Sequence, residues 1–367
     1  VKKMGYHPFV VPLGIVTENY KGRLSCIGHP CCNGYLCEIG AKSTPLTALL
    51  PDALATGNCE LIPEALAKEI TVDGQGDPNG VKYYQKDGKL VEQPARIIIL
   101  AACAIETPRL LLNSSSRWFP TGMANGNGWV GRNLMGHISP WAWGIMDEIT
   151  NEGFGPGPGI GVDDFYGKNE GFVGGSVFYS RTEIQPIGFA NRRPRGAARW
   201  GKEHKEYQRR NFRRYIRLFA PAEDLPQFEN RVEVSPQVTD AWGIPVARIT
   251  HSFHPNDYLV WSFFREKIIE VLQEAGARDI RGSGIGRGGA GYQLGTCRMG
   301  SDSKTSVVNA HGQSHEIDNL FVVDGSVFVT SGGRNPALTI QALAFSFAEY
   351  IVEQWKGGAW KSGSREV

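Results

Sequence analysis

The sequence predicts an α/β fold containing part of a doubly wound sheet, joined to an α+β unit built on an antiparallel sheet. Three observations predict it. A mostly apolar, β-branched run at residues 96–102 is typical of a buried parallel strand, and a helical pattern follows it. A second buried strand, at residues 320–326, leads into a long helix at residues 335–355. Alternating residues at 231–235 and 245–250 predict an antiparallel hairpin.

Further elements follow from local patterns. Residues 42–55 carry helix-compatible apolar spacing, and the short runs at residues 59–90 are separated by Asp-Gly and Asn-Gly turns, which predicts a β-meander. Residues 257–275 have the apolar periodicity of an amphipathic helix. A helix is predicted after the first buried strand, and Pro108 fits its first turn. The N–H groups of the first turn have no partner within a helix, so proline, which lacks an N–H, is tolerated there.

The long C-terminal helix has an unusual composition. Asn335 is expected to be its N-cap and Pro336 its first residue. Because residues 335–348 carry no charge, we expect the helix to be covered on nearly every side. Its N-terminus presents unpaired N–H groups and a partial positive charge, which suit an anion. A core helix with a well-formed cap is the alternative.

Length and charge restrict the function classes. The chain has 367 residues, enough for one large domain or two ordinary ones. Its 39 Lys and Arg residues nearly balance 37 Asp and Glu residues, so no field of one sign favours nucleic acid as a partner. No apolar run approaches the roughly 18 residues that span a bilayer. Val1 is not an initiating Met and no signal-peptide core follows it. We therefore expect the chain to begin inside a longer reading frame, and the compartment, periplasmic or cytoplasmic, stays open.

Several motifs together resemble those of the glucose–methanol–choline oxidoreductases. In order and spacing, the C-terminal signature of that family is similar to YQLGTCRMG at residues 292–300, NLFVVDGS at 319–326 and NPALTI at 335–340. Its flavin loop and its second strand–turn–helix motif are similar to GRNLMGH at residues 131–137 and AACAIETPRLLL at 101–112. CEIGAKSTP at residues 37–45 is close to the branch that contains gluconate dehydrogenase large subunits. The resemblance covers nearly the whole chain.

The resemblance implies a flavoprotein. In that family FAD accepts a hydride from a CH–OH group while a nearby base takes the hydroxyl proton, and the pocket positions both transfers. For this chain it implies part of the FAD domain with a Cys-rich loop at residues 1–117, a substrate domain at residues 118–285 and a return to the FAD domain at residues 286–367. The branch implies a sugar, sugar acid or glycoside as the substrate.

The resemblance also implies site residues. Those that match the family's cofactor site are Asn133, His137, Asp324, Gly325, Asn335 and Pro336. Asn335 also matches the second member of the family's catalytic pair. The first member is usually a His, but here it is Tyr292. A Tyr titrates at about 10 and a His at about 6.5 in short peptides, so Tyr292 is a poor base near neutrality. Either Tyr292 is an atypical base or hydrogen-bonding group, another residue substitutes for it, or the chain is a weak or inactive member.

The nucleotide-binding part of the family's cofactor site has no counterpart in this sequence. FAD binding in the family needs an N-terminal strand, a Gly-x-Gly-x-x-Gly turn and a helix that hold the pyrophosphate. The Gly-rich residues 282–291 lead into the Tyr292 motif instead of following a strand at a chain start, and we interpret them as a flexible loop. We therefore expect this chain alone to bind FAD weakly or not at all.

Four of the seven cysteines lie within twelve residues, namely Cys26, Cys31, Cys32 and Cys37. Thiolates at this density suit an iron–sulfur cluster or zinc. Some members of the sugar dehydrogenase branch carry an iron–sulfur cluster in a Cys-rich loop here, so the resemblance implies a cytochrome or a small subunit as electron-accepting partner. A disulfide in an oxidising compartment and plain reduced thiols are the alternatives.

Three functions stay open from the sequence. The leading hypothesis is an FAD-dependent oxidoreductase acting on a carbohydrate. A truncated or non-catalytic subunit of the same fold is the first rival, which Tyr292 favours. The second rival is a carbohydrate-binding protein whose Trp-rich middle stacks on sugars, through Trp118, Trp129, Trp141 and Trp143. The sequence gives neither the exact substrate nor the electron acceptor.

Overall fold

The computed structural model describes residues 1–29, 36–150, 155, 157, 159–181, 184–194, 196–285 and 291–360. Its strands are β1 Pro8–Val10, β2 Leu66–Val72, β3 Pro78–Tyr84, β4 Leu90–Pro94, β5 Ile98–Leu100, β6 His137–Ile138, β7 Trp141–Ile145, β8 Ile160–Val162, β9 Phe178–Arg181, β10 Tyr215–Phe219, β11 Ala222–Glu223, β12 Arg231–Thr239, β13 Pro245–Thr250, β14 Arg278–Gly282 and β15 Leu320–Val322. Its helices are α1 Pro45–Ala48, α2 Leu50–Ala55, α3 Cys103–Asn113, α4 Pro186–Ala190, α5 Gly201–Asn211, α6 Pro255–Glu274 and α7 Ala337–Lys356. Short 3-10 turns lie at Lys2–Met4, Phe212–Arg214 and Gly325–Val327.

The chain forms two compact units that interleave along the sequence. The first consists of Val1–Ile62, Ser139–Ala222 and Leu259–Ile285. The second consists of Pro63–Ile138, Glu223–Tyr258 and Gly286–Val367. The assignment of residues 1–117, 118–285 and 286–367 to cofactor and substrate domains stays a prediction. The border after residue 285 is common to both divisions.

The first unit is built on a six-stranded antiparallel sheet with the strand order β1-β8-β9-β10-β7-β14. Trp143, Ile145 and Tyr215 pack with Phe189 of α4 into a largely aromatic core. The rings of Phe189 and Tyr215 meet edge to face at 5.7 Å between centroids, a geometry that aromatic quadrupoles prefer. This sheet confirms the antiparallel α+β unit expected for the middle of the chain.

Two antiparallel sheets of the second unit confirm further predictions. Strands β2, β3 and β4 form the expected meander. Strands β12 and β13 form the expected hairpin. The Asp240 carboxylate shapes its turn by accepting the N–H groups of Trp242 at 2.9 Å and Ile244 at 3.0 Å, as in an Asx-turn.

A parallel pair of strands lies in the core of the second unit. Strands β5 and β15 pair in parallel, with Leu320 opposite Ile98 and Val322 opposite Leu100. All four side chains are buried. Helix α3 follows β5, so the predicted strand–turn–helix unit is present. A larger doubly wound sheet stays a prediction.

Helix α3 begins earlier than the sequence suggested. It starts at Cys103, so Pro108 lies inside the helix and the expectation that it occupies the first turn is wrong. The cause is a distant carboxylate. Asp324 accepts the Cys103 N–H at 3.0 Å and the Thr107 hydroxyl at 2.5 Å, which satisfies donors at the start of the helix.

Helix α7 departs from its prediction in two ways. It begins at Ala337 with Pro336 as N-cap residue and has no side-chain cap, so Asn335 is not the N-cap. Its apolar residues are also not covered on every side. Leu338 is 79% exposed and Phe345 is 55% exposed, whereas Phe347 is 1% exposed. The described residues therefore cover only one face of α7. Among the helices described, none is long and apolar enough to cross a bilayer.

Candidate active site

The second unit brings together the two residues that were predicted as a catalytic pair. The side-chain amide of Asn335 donates a hydrogen bond to the Tyr292 hydroxyl, with 2.5 Å between Nδ2 and Oη. Tyr292 is 45% exposed and Asn335 is exposed too, so a small molecule can reach both. Because the phenol oxygen accepts this bond, its own hydrogen can still be donated to a further partner.

Backbone contacts hold Tyr292 in an uncommon conformation. Its φ of 61° is left-handed, which costs roughly 1–2 kcal/mol for a residue with a Cβ. Close to it, Leu294 and Met135 exchange both of their N–H···O bonds at 2.9 Å. Gly295 follows with φ +76°, and a Cβ there would lie 2.1 Å from the Asn133 carbonyl oxygen. Only glycine fits this position, which explains why the motif at residues 292–300 has glycine at position 295.

His137 supports both members of the pair. Its Nε2 donates to the main-chain oxygen of Arg334 at 3.1 Å, directly before Asn335. Its ring meets the Tyr292 ring edge to face, with 5.6 Å between centroids. His137 is 1% exposed, and this burial lowers the pKa of its imidazole, so the ring is neutral near pH 7. His137 was predicted as a cofactor residue, and that role stays a prediction.

The Asp324 carboxylate joins two segments of the second unit. Its Oδ2 accepts the Cys103 N–H and the Thr107 hydroxyl, and its Oδ1 accepts the Ser326 N–H at 2.8 Å and the Ser326 hydroxyl at 2.5 Å. The side chain therefore ties the loop after β15 to the start of α3. The main-chain oxygen of the next residue, Gly325, accepts the Gly295 N–H at 3.1 Å. The cofactor contacts predicted for Asp324 and Gly325 stay predictions.

The remaining predicted cofactor residues lie in the same unit. Asn133 is 5% exposed, and within the part of the chain that the structure describes its Nδ2 has no hydrogen-bond partner. Pro336 is the N-cap residue of α7, and Ala337, Leu338 and Thr339 in the first turn are exposed. The site is thus rich in hydrogen-bond donors.

The predicted metal site receives no support from the structure. Cys31 and Cys32 lie outside the described residues, as do residues 286–290 of the Gly-rich loop predicted at residues 282–291. Cys26 and Cys37 are free thiols. The pKa of the Cys37 thiol is lowered, mainly by a hydrogen bond from the Lys42 backbone. Among the residues described, no group of three or more His, Cys, Asp or Glu side chains is arranged to hold a metal ion.

The alternative of a Trp-lined sugar platform is weakened by packing. Trp143 is 3% exposed and belongs to the core of the first unit. Trp141 packs against the same core, and in the second unit Trp129 meets Phe228 edge to face at 5.1 Å. Trp118 is 46% exposed and is the residue of this group that can best meet a ligand.

Sequence reasoning missed a buried polar cluster beside the candidate pair. Asp224 is 1% exposed, and its Oδ2 accepts hydrogen bonds from the Gly136 N–H at 2.9 Å and from His251 Nε2 at 2.8 Å. Ser331 and Asp257 complete the cluster. These residues come from segments far apart in sequence and share no motif, so only the fold reveals them.

Comparison with known proteins identifies the family. Two family models match the chain, one at residues 8–139 and the other at residues 226–344, and both are described as GMC oxidoreductase. Together they cover more than half of the 367 residues. The chain belongs to the GMC oxidoreductase family.

This GMC oxidoreductase chain is similar to several named enzymes. It is 33% identical to 2-methyl-1,2-propanediol dehydrogenase of Mycolicibacterium austroafricanum, over 95% of this chain and 64% of that protein. It is 28% identical to the gluconate 2-dehydrogenase flavoprotein of Pantoea cypripedii, over 96% of this chain and 61% of that protein. The crystal structure of pyridoxine 4-oxidase from Mesorbium loti shares the fold, with a TM-score of 0.61, 18% identity and coverage of 86% of this chain and 63% of that one. The chain thus spans somewhat less than two thirds of the length of these proteins.

Proposed function

We propose that this chain is part of an FAD-dependent oxidoreductase. The enzyme oxidises the CH–OH group of a sugar, sugar acid or glycoside by hydride transfer to the flavin. The observation that carries the proposal is the contact between Tyr292 and Asn335 just before α7. These two positions match the family's catalytic pair. The fold brings them into hydrogen-bond contact although 43 positions separate them in the sequence.

The names of the relatives support a substrate that carries hydroxyl groups. One relative is named for a diol, another for gluconate and a third, from Gluconobacter japonicus, for fructose. A fourth, from Streptomyces fradiae, is named paromamine 6'-oxidase. Since both dehydrogenases and an oxidase occur among them, the names do not select oxygen, a quinone or a cytochrome as electron acceptor.

The donor set of the site fits FAD. The first turn of α7 has exposed residues and no side-chain cap, so its N–H groups and the positive end of the helix dipole can meet an anion, such as a reduced flavin ring. The Nδ2 of Asn133 is a further donor without a partner among the described residues. When bound, FAD supplies the hydride acceptor.

The chain's own residues position the alcohol. In this proposal the Tyr292 hydroxyl donates a hydrogen bond to the oxygen of the substrate's CH–OH group, while the Asn335 amide fixes the phenol ring's hydroxyl. The neutral His137 packs against Tyr292 and holds the main chain before Asn335. The substrate loses a hydride from carbon and passes the proton of its hydroxyl group to water, and a carbonyl compound results.

A partner that removes electrons is part of the proposal. One relative is named a flavoprotein and another a large subunit, which supports an assembly with a small subunit or a cytochrome. An iron–sulfur cluster at Cys26, Cys31, Cys32 and Cys37 is a separate proposal. Iron and acid-labile sulfide analysis of the chain, purified without oxygen, tests it. Iron and sulfide that are both lost when Cys26 and Cys37 are replaced by Ser would support the cluster, and their absence would exclude it.

Flavin reduction tests the proposed function. The purified chain is mixed with excess FAD and a panel of sugars, sugar acids and glycosides without oxygen, and loss of oxidised flavin absorbance is followed. We expect at least one compound to reduce the flavin, and Asn335→Ala to abolish the reaction. Asp240→Asn, in the hairpin turn, is the matched control that should retain it. If no compound reduces flavin at saturating FAD, the non-catalytic subunit is the better account.

A further inference from the structure

One buried acidic residue binds two separate segments of the second unit, one through its carboxylate and the other through its main chain. Asp224 follows β11 and is 1% exposed. Its Oδ2 accepts the Gly136 N–H at 2.9 Å. Its main-chain N–H donates to the Ser331 hydroxyl oxygen at 3.0 Å, and that hydroxyl donates back to the Asp224 carbonyl at 3.1 Å. Asp224 therefore fixes the chain at Gly136 and at Ser331 at the same time.

The Gly136 segment leads directly to Tyr292. The next residue, His137, packs its ring against Tyr292. The preceding residue, Met135, exchanges two backbone hydrogen bonds with Leu294. A shift of Gly136 would therefore move both supports of Tyr292, one on its ring and one on its backbone.

The Ser331 segment leads to Asn335. Ser331 is 3% exposed and precedes the Gly332-Gly333 pair, which offers little conformational restraint of its own. At the far end of this turn, the Arg334 carbonyl accepts from His137. The turn that presents Asn335 is thus anchored at one end by Asp224 and at the other by His137.

A histidine and a second carboxyl group lie beside Asp224 inside the cluster. His251 Nε2 lies 2.8 Å from Oδ2, and this hydrogen bond raises the pKa of His251. On the other side, burial first and the nearby Asp224 charge second raise the pKa of Asp257 to about 6, although the N–H groups of His254 and Leu225 oppose this shift. The charged or titratable groups that act on Asp224 are therefore His251, Asp257 and the neutral His137.

We propose that Asp224 is a positioning residue for the Tyr292–Asn335 pair, acting through the hydrogen bond that its carboxylate accepts from the Gly136 N–H. It does not itself touch the pair. Removing the carboxylate leaves the buried Gly136 N–H and His251 Nε2 without their acceptor, so its loss should release the Gly136 segment, whereas the main-chain contacts with Ser331 stay in place. The inference rests on the proposed function for the meaning of the pair, but its geometry can be tested without a substrate or a cofactor.

The test follows the side-chain amide of Asn335 by NMR in the full 367-residue chain labelled with ¹⁵N-asparagine. Asn335→Asp identifies the Asn335 signal, because the signal disappears in that variant. Tyr292→Phe shows the chemical shift that the Asn335 amide has when it no longer contacts the phenol hydroxyl. We expect Asp224→Ala to move the Asn335 signal toward the Tyr292→Phe position. Asp240→Asn, which removes a carboxylate paired with Arg109 in the same unit, should leave the signal in place.

The outcomes separate positioning from general stability. An unchanged Asn335 signal in folded Asp224→Ala overturns the proposal. If Asp224→Ala does not fold, Asp224→Asn decides, because it keeps the size of the side chain and weakens the same hydrogen bonds. A displaced signal in that variant supports the proposal, and an unchanged one overturns it. The proposed function is judged by flavin reduction instead, so either idea can fail without the other.

Discussion

At the scale of single residues, the chemistry of the site depends on a tyrosine where this family usually has a histidine. Tyr292 is held by the Asn335 amide and by the edge of the His137 ring, so its hydroxyl is oriented. Orientation alone does not make it a base, because an ordinary phenol keeps its proton up to about pH 10. The arrangement favours hydrogen bonding to the alcohol oxygen over proton removal near neutrality.

Replacing Tyr292 tests this view. Tyr292→Phe removes one hydrogen bond to the alcohol and should slow flavin reduction about tenfold, the effect of roughly 1.4 kcal/mol. Tyr292→His should accelerate it near pH 7, since an imidazole with a pKa of about 6.5 accepts a proton there. Rates are compared at saturating FAD and substrate. Equal rates for Tyr292 and Tyr292→Phe would show that the phenol takes no part.

The buried Asp257 carboxyl should make stability depend on pH. Burial and the neighbouring Asp224 raise the pKa of Asp257 from 3.8 to about 6. A folded-state pKa above the unfolded one stabilises the fold below the unfolded value, and this contribution disappears as the pH rises through the folded value. The free energy of unfolding of the wild type, relative to Asp257→Asn, should therefore fall between pH 3.8 and about 6.

Asp240 provides a control of opposite sign. Although burial opposes it, the hydrogen bond and charge of Arg109 lower the pKa of Asp240 below 3.8. Its contribution is present above that value and is lost as the pH falls further. The wild type should thus lose stability relative to Asp240→Asn only at the acid end. A rise of the Asp257 difference with pH would contradict the proposed environment of that carboxyl.

Motif spacing predicted the Tyr292–Asn335 pair, but not the cluster that supports it. The pair follows from positions 292 and 335 in two motifs of fixed order. Asp224 and His251 belong to no motif, and burial of a charged residue is the exception in proteins. Their importance follows only from the packing that removes Asp224 from water.

At the scale of elements, strand positions were easier to predict than helix boundaries. Strands β5 and β15 follow from continuous apolar runs, which arise because both faces of a parallel strand are buried. Both helices begin next to contacts with residues far away in sequence. Asp324 accepts the Cys103 N–H at the start of α3, and Asn335, directly before the N-cap residue of α7, donates to Tyr292. Neither contact can be predicted from the helix propensities of the neighbouring residues.

Asp324 should therefore contribute strongly to stability. Its buried carboxylate accepts four hydrogen bonds, and Asp324→Ala would leave several buried donors without an acceptor. We expect a loss of about 3 kcal/mol in the free energy of unfolding, measured by chemical denaturation. Asp73→Ala, which removes an acceptor for two N–H groups in a surface turn, should cost less than about 1.5 kcal/mol. Similar losses for both variants would contradict the role of Asp324.

At the scale of the whole molecule, the sequence and the structure disagree about the surroundings of α7. Its lack of charge predicted that it would be covered, yet Leu338, Phe345 and Val352 are at least 50% exposed. An uncharged composition shows that a helix can be buried, but it does not show which residues pack against the helix. An exposed apolar face of this kind marks a contact surface.

The isolated chain should bind FAD weakly. Its site offers donors at α7, but the Gly-x-Gly-x-x-Gly sequences at residues 284–289 and 286–291 lead into the Tyr292 motif, and no helix is described directly after them that could hold the pyrophosphate. On a desalting column the protein should elute in the void volume without flavin, and the free flavin should elute later. Tight, stoichiometric flavin in the purified chain would contradict this expectation.

Isotopic substitution of the alcohol tests the central claim most directly. The rate of anaerobic flavin reduction at saturating FAD is measured with a substrate identified in the panel, once with hydrogen and once with deuterium on the carbon of its CH–OH group. We predict that deuterium slows flavin reduction several-fold, and that neither alcohol reduces flavin when Asn335 is replaced by Ala. Equal rates for both alcohols, or undiminished rates in Asn335→Ala, would contradict hydride transfer at the Tyr292–Asn335 pair.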